Sequence, residues 1–203
     1  HTARALQVDY RPYYTSITSH ADAETMEREA IGAPNRPLIS TDLEADLSTA
    51  WIESRRLGQP WRLIGNPMPI ARTRVPDVVA LGVIPNPDTQ AAPLDAAREL
   101  AWKGKWNLPF YPDTWDGYPR AREDLYDLSR KAGAGDLIFL TGDSHSFWAN
   151  SLKDAAGRPA GIELGTAGIT SPGDFVESGF GDALSRALDQ AFIDHIPEVV
   201  WTD

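Results

Sequence analysis

Asp143 and His145 stand two residues apart in Leu140-Thr141-Gly142-Asp143-Ser144-His145, directly after the apolar run Leu137-Ile138-Phe139-Leu140. A carboxylate and an imidazole are both good donors to a hard or borderline metal ion. In extended backbone, residues i and i+2 project to one side, so the two groups are offered together. An Asp after a strand also caps helices, and a lone His is usually an ordinary polar residue. Here Ser144 or Ser146 would serve as the cap of a following helix, so capping does not require Asp143. Gly142 permits close approach of backbone or ligand. Position, chemistry and spacing agree on a metal or catalytic site.

The element that must position this pair is the apolar run itself. Four large apolar residues, opened by Gly135-Asp136 and closed by Gly142, read as a strand buried on both faces. Ligands of open α/β sheets bind at the carboxyl ends of such strands. Further strands are expected at residues 6–10, 61–65 and 161–166. Helices are expected at residues 24–30, 41–58, 94–101, 118–132 and 182–193. Thr41 with Glu44 three residues on reads as a capping box for the second of these, and Gly58 as its stop. Residues 85–113 read as a long insertion punctuated by Pro and Trp, of the kind that forms lids and binding loops. Helices alternating with buried strands define an α/β domain.

Composition sets outer bounds. A chain of 203 residues with 42% hydrophobic residues suits one globular domain. The net charge of −10 argues against non-specific binding to nucleic acid or to anionic membranes. A phosphate substrate would need that field offset locally, which bound cations would do. With no cysteine there is no disulfide, zinc-thiolate site or thiol nucleophile. No apolar stretch approaches the roughly 18 residues of a membrane span. The chain opens on His1 with neither initiator Met nor signal peptide, as a processed product or a part of a longer polypeptide would.

Other constellations are weaker. In Trp115-Asp116-Gly117-Tyr118-Pro119, Asp116 fits a helix N-cap and Pro119 a first turn. A helix N-terminus also attracts anions, and Arg122 in its first turns could add charge-assisted bonds to a phosphoryl oxygen. The small and hydroxyl residues from Thr166 to Gly173 could expose backbone N–H groups to an anion, or simply make a tight connection. Asn66 could coordinate through its carbonyl oxygen, but a turn role before Pro67 explains it better. His1, His20 and His195 lack ligand-like neighbours; His195 suits a cation near a helix end.

Together these blocks resemble a family. Trp115-Asp116-Gly117-Tyr118 with Arg122, Gly142-Asp143-Ser144-His145 with Trp148, Glu163, and Ile169-Thr170-Ser171-Pro172-Gly173 resemble the PhoD-like alkaline phosphatases. Trp51, the stretch from Trp61 to Asn66, the stretch from Leu6 to Arg11 and the segment from Ile196 to Asp203 resemble that family as well. The resemblance implies a calcineurin-like metallophosphoesterase sandwich, two stacked sheets flanked by helices. It implies hydrolysis of phosphate esters at a cluster of divalent and trivalent metals, calcium and iron, with Asp143 and His145 among the ligands. It also implies a secreted or periplasmic protein.

The departures are as informative. The family's Gly-Asp and Asp-Asp-His-Glu blocks have no counterpart here, and the final strand is missing. Two ligands do not assemble a dinuclear site. Residues 1–203 therefore read as the C-terminal half of one catalytic domain, incomplete at both ends, whose partner is a missing N-terminal segment carrying further donors. Such a half is expected to expose apolar surface and strand edges. Two other readings remain: a GDSL-type serine esterase with Ser144 as nucleophile, which would need an oriented base, and a non-catalytic fragment that binds its partner segment.

Overall fold

The computed structural model describes residues 16–203; His1 and the strand expected at residues 6–10 lie outside them. A single five-stranded sheet organises the described chain: β1 (Leu63–Asn66), β2 (Leu137–Thr141), β3 (Trp148–Lys153), β4 (Pro159–Gly165) and β5 (Val199–Thr202). The order is β1-β2-β4-β3-β5. β1, β2 and β4 are mutually parallel, and β3 runs antiparallel to both β4 and β5. Six helices accompany it: α1 (His20–Met26), α2 (Thr41–Arg56), α3 (Asp95–Lys105), α4 (Pro119–Lys131), α5 (Asp174–Glu177) and α6 (Asp182–His195). A π-helical turn, Glu27–Ile31, extends α1.

Local chemistry sets the helix ends. The α2 cap is Ser40, whose Oγ accepts the Leu43 N–H at 3.2 Å. Thr41, expected as the cap, is the first helical residue. Gly58, at φ 64°, turns the chain out after α2, a conformation that costs glycine little. α4 begins on Pro119, whose missing N–H would be unsatisfied there anyway. The cap expected of Asp116 is not made: α4 follows Tyr118 with no side-chain cap, and Thr114 caps instead a short 3₁₀ turn, Trp115–Gly117, its hydroxyl accepting the Asp116 N–H at 3.4 Å.

One face of the sheet is covered and the other is bare. Leu137 and Phe139 of β2, Leu152 of β3 and Ala160 of β4 pack into a core with Trp51 of α2 and Leu125 and Tyr126 of α4. Trp148 and Val199 pack with Leu188 and Phe192 of α6 and Phe175 of α5. Each such buried side chain contributes about 1.5–3 kcal/mol by leaving water. On the opposite face, register places Leu63, Ile138 and Ile162 in one row and Leu140, Leu164, Ala149 and Trp201 in the next. These residues stay open: Leu63 is 61% exposed, Leu140 45%, Ile162 44%, Leu164 44% and Trp201 47%. The expectation that residues 137–140 are buried on both faces is thus corrected, because nothing among the described residues packs over the second face.

Between β1 and α3 the chain passes under the sheet as irregular backbone, with Met68, Ile70, Ala71 and Val75 wholly buried. Buried N–H groups need partners, and here no strand supplies them. Glu163 on β4 does so: its carboxylate accepts the Ile70 N–H at 2.7 Å and the Ala71 N–H at 3.0 Å, and the Asn150 amide on β3 at 2.8 Å. Glu198 accepts the Arg72 N–H at 2.8 Å. Burial pushes both carboxyls above their usual range, and the same N–H donors work against that rise.

Candidate metal centre

The loop from Gly142 to Phe147 leaves the carboxyl end of β2 and leads into β3. No helix follows it, so neither Ser144 nor Ser146 is a cap. Asp143 takes a left-handed conformation, φ 65°, which Asp tolerates better than most side chains. The loop is a turn rather than extended backbone, yet burial still alternates along it. Ser144, Ser146 and Trp148 are buried; Asp143 and Phe147 are exposed and His145 is half-buried.

The buried residues hold the loop down. The Ser144 hydroxyl accepts the Trp148 indole N–H at 2.7 Å and the Ser146 N–H at 3.2 Å, and lies 3.5 Å from Asp174 Oδ2. The Ser146 hydroxyl accepts the Asp174 N–H at 3.3 Å, and Tyr111 donates its phenol proton to the Asp174 carboxylate. Burial and that carboxylate push the Tyr111 pKa well up, so it stays a neutral donor. On the outer side, His145 Nδ1 meets the Glu177 carboxylate on α5. That hydrogen bond, then the charges of Glu177, Asp174 and Asp143, hold the imidazole above its usual range. With Nδ1 engaged, Nε2 is the nitrogen left for a ligand.

A cavity of about 270 Å³ opens beside His145, lined among others by Gly168, Ser171, Asp174, Asp189 and Asp203. The loop from Thr166 to Gly173, singled out in the sequence, therefore does share a wall with His145. Asn66 ends β1 at the same strand edge, but its side chain is occupied: it donates to the Met68 carbonyl and accepts the Trp115 indole N–H at 3.3 Å, which is a turn role. Asp116 and Arg122 lie apart from the cavity as a fully buried ion pair, 3.2 Å between Oδ1 and Nη1, with Arg74 Nε 3.5 Å from the second carboxylate oxygen. His20 packs edge-on against Trp106, and His195 sits exposed in the last turn of α6. Glu177, Asp174 and Tyr111 escaped the sequence reading, because nothing in their own neighbourhoods marks them as partners of residues 30 to 63 positions away.

Asp189 carries a separate expectation. Burial, then the charges of Asp203 and Asp174, raise its pKa from 3.8 to about 6. A folded-state pKa above the unfolded one means that its contribution to stability is fully present below about pH 4 and is lost as pH rises through about 6. Asp189→Asn is therefore expected to stabilise the protein at pH 8 by on the order of 1 kcal/mol, discounted for partial exposure, or roughly 2–4 °C in Tm. Melting curves of both proteins in metal-free buffer at pH 4 and pH 8 test this; an equal gain at both would contradict it.

Fold and loop define a class: an α/β domain whose parallel strands present an exposed Asp–x–His loop at their carboxyl ends. The chain matches the PhoD-like phosphatase family over residues 2–203, and it belongs to that family. It is similar to alkaline phosphatase D of Bacillus subtilis (strain 168), 29% identical over an alignment of 126 residues that covers 54% of this chain and 22% of that protein. A solved structure of PhoD overlaps 68% of this chain and 22% of its own, at 22% identity and a TM-score of 0.46. The chain thus spans about a fifth of the length of the relatives it matches.

Proposed function

We propose that this chain is the part of a metal-dependent phosphoester hydrolase that supplies Asp143 and His145 to the metal cluster. The observation that carries the reading is the loop itself: its alternate residues are locked by Trp148, Asp174 and Tyr111, while Asp143 and His145 are left accessible. As a donor set the pair fits a metal in part. Imidazole and carboxylate suit it, but among the described residues no group of three or more candidate ligands converges. The remaining donors would come from the polypeptide beyond this stretch, as the share of its relatives that the chain covers suggests.

When bound, the metals, calcium and iron by resemblance, would supply an activated water for attack on phosphorus. This chain's residues hold the site in shape. Glu177 fixes the imidazole, Ser144 and Ser146 pin the loop, and the Thr166–Gly173 connection walls the cavity where an ester would enter. Burial of Asp116 and Arg122 favours a supporting role for that pair over direct contact with substrate. The bare apolar face of the sheet supports a second sheet stacked upon it, the sandwich arrangement. Secretion remains part of the proposal by resemblance alone; no helix among the described residues is long and apolar enough to cross a membrane.

The esterase alternative gains nothing from the geometry. Ser144 is buried, its hydroxyl is bound to an indole and a backbone N–H, and no imidazole among the described residues hydrogen-bonds to it. Chelation of the intact polypeptide is therefore expected to abolish hydrolysis of a chromogenic phosphate mono- or diester. A serine-reactive phosphonate is expected to leave hydrolysis unchanged. Covalent label on Ser144, found by peptide mass spectrometry, would sink the metal reading.

A further inference from the structure

We propose that Tyr111 is a positioning residue for His145, acting through Asp174 and α5: it sets where Glu177 stands, and so how the imidazole is aimed at a metal ion. The inference rests on the metal reading proposed above and adds to it a residue from a distant part of the chain.

α5 has four residues, a single turn. One turn cannot hold itself, because ordering its backbone costs more than its first hydrogen bonds return. Its place is therefore set from outside, by two kinds of contact. Phe175 is buried among Phe110, Phe180 and Phe192, with ring centroids 5.6, 6.2 and 5.7 Å away. That burial keeps α5 on the protein, but apolar contact has no direction of its own. Asp174 supplies direction. Its N–H donates to Ser146 Oγ at 3.3 Å, and its Oδ2 lies 3.5 Å from Ser144 Oγ and accepts a hydrogen bond from the Tyr111 phenol. Hydrogen bonds to a carboxylate are the stronger kind.

Asp174 thus faces two ways. It holds the loop beneath His145 through the two serines, and it opens the turn whose last residue, Glu177, meets His145 Nδ1. Tyr111 fixes Asp174 from 63 positions away. Its ring is seated against Phe110 and Trp148, with centroids 4.2 and 6.5 Å away, so the phenol oxygen is delivered from a fixed base. The phenol also stands within reach of Ser144, a second route to the loop. The route through α5 carries more. Without Tyr111, Ser144 keeps its bonds to Trp148 and Ser146, whereas the Asp174 carboxylate keeps only a 3.5 Å contact with Ser144. Tyr111 does not line the cavity beside His145, and Asp174 does. A change at Asp174 could reach a bound ion directly; a change at Tyr111 reaches it through its partners.

Tyr111→Phe deletes one oxygen and keeps the ring and its contacts. In the intact polypeptide, stripped of metal, Zn²⁺ is the probe, since it accepts imidazole and carboxylate alike; a chromophoric chelator reads the free ion. Tyr111→Phe is expected to raise the Zn²⁺ dissociation constant about tenfold, the low end of what losing a ligand-orienting group costs. Glu177→Gln should raise it at least as much. The two together should exceed Glu177→Gln alone by no more than about twofold, because both cut one path. A merely structural role for Tyr111 would add in full to the loss from Glu177→Gln. Two results overturn the proposal: an unchanged constant in Tyr111→Phe, or full additivity. His145→Ala, measured alongside, separates this failure from that of the metal reading. Zinc lost there, with an unchanged constant in Tyr111→Phe, sinks only the positioning role; zinc retained there sinks both.

Discussion

His145→Ala is expected to strip bound metal and hydrolysis together while leaving the fold intact. The side chain is half-exposed, and its one described hydrogen bond runs to Glu177 on the surface, so truncation removes little packing. The loop beneath it keeps its own anchors, Ser144, Ser146 and Trp148. Removing a residue that merely orients a ligand typically costs 10–100-fold in metal affinity, and removing a donor should cost at least about that much. Elemental analysis gives metal per chain, circular dichroism gives the fold, and turnover of a chromogenic ester gives activity. Metal content equal to that of the unsubstituted protein would remove His145 from the ligand set whatever happened to activity.

Arg122→Ala should act in the opposite sense, on the fold first. Arg122 and Asp116 are both fully buried and face one another at 3.2 Å. Deleting Arg122 leaves the buried Asp116 carboxylate with Arg74 alone, 3.5 Å away, so the cost falls toward the lower end of the about 3–5 kcal/mol of a broken buried pair. For a chain of this size the lower end of that range is a fall in Tm of roughly 6–12 °C. Replacing both together, Arg122→Met with Asp116→Leu, should recover most of the loss, since a buried ion pair is often no better than apolar residues of similar volume. A single variant that melts like the parent yet no longer hydrolyses esters would mark Arg122 as a substrate contact instead.

Much of the scaffold could be read from periodicity. α4 and α6 showed their apolar stripes, β2 its apolar run, and β4 its alternation between glycines. β3 and β5 did not declare themselves. Trp148-Ala149-Asn150-Ser151-Leu152-Lys153 does alternate, but Asn150 occupies an inward position that apolar patterning reserves for a hydrophobe. It is there because Glu163 is, and Glu163 is there because Ile70 and Ala71 need acceptors. That chain of reasons passes through backbone N–H groups more than 90 positions away, which carry no residue signature. The same limit hid Glu177 and Asp174. At the loop, the Asp–x–His spacing pointed to an accessible pair, but for a reason only half right: a left-handed Asp143 and buried serines produce the alternation, not a continuing strand.

The bare sheet face has a thermal consequence. A second sheet over Leu63, Leu140, Ile162, Leu164 and Trp201, as proposed above, would be held there by the withdrawal of apolar surface from water. Such contact lowers the heat capacity of the assembled molecule, and near room temperature its driving force is almost wholly entropic. It therefore weakens on cooling, whereas the carboxylate clamps beneath the other face do not depend on that effect. A covering of the bare face would lack such clamps, so it would be more sensitive to cold than the segment from Ile70 to Arg72 that Glu163 and Glu198 hold.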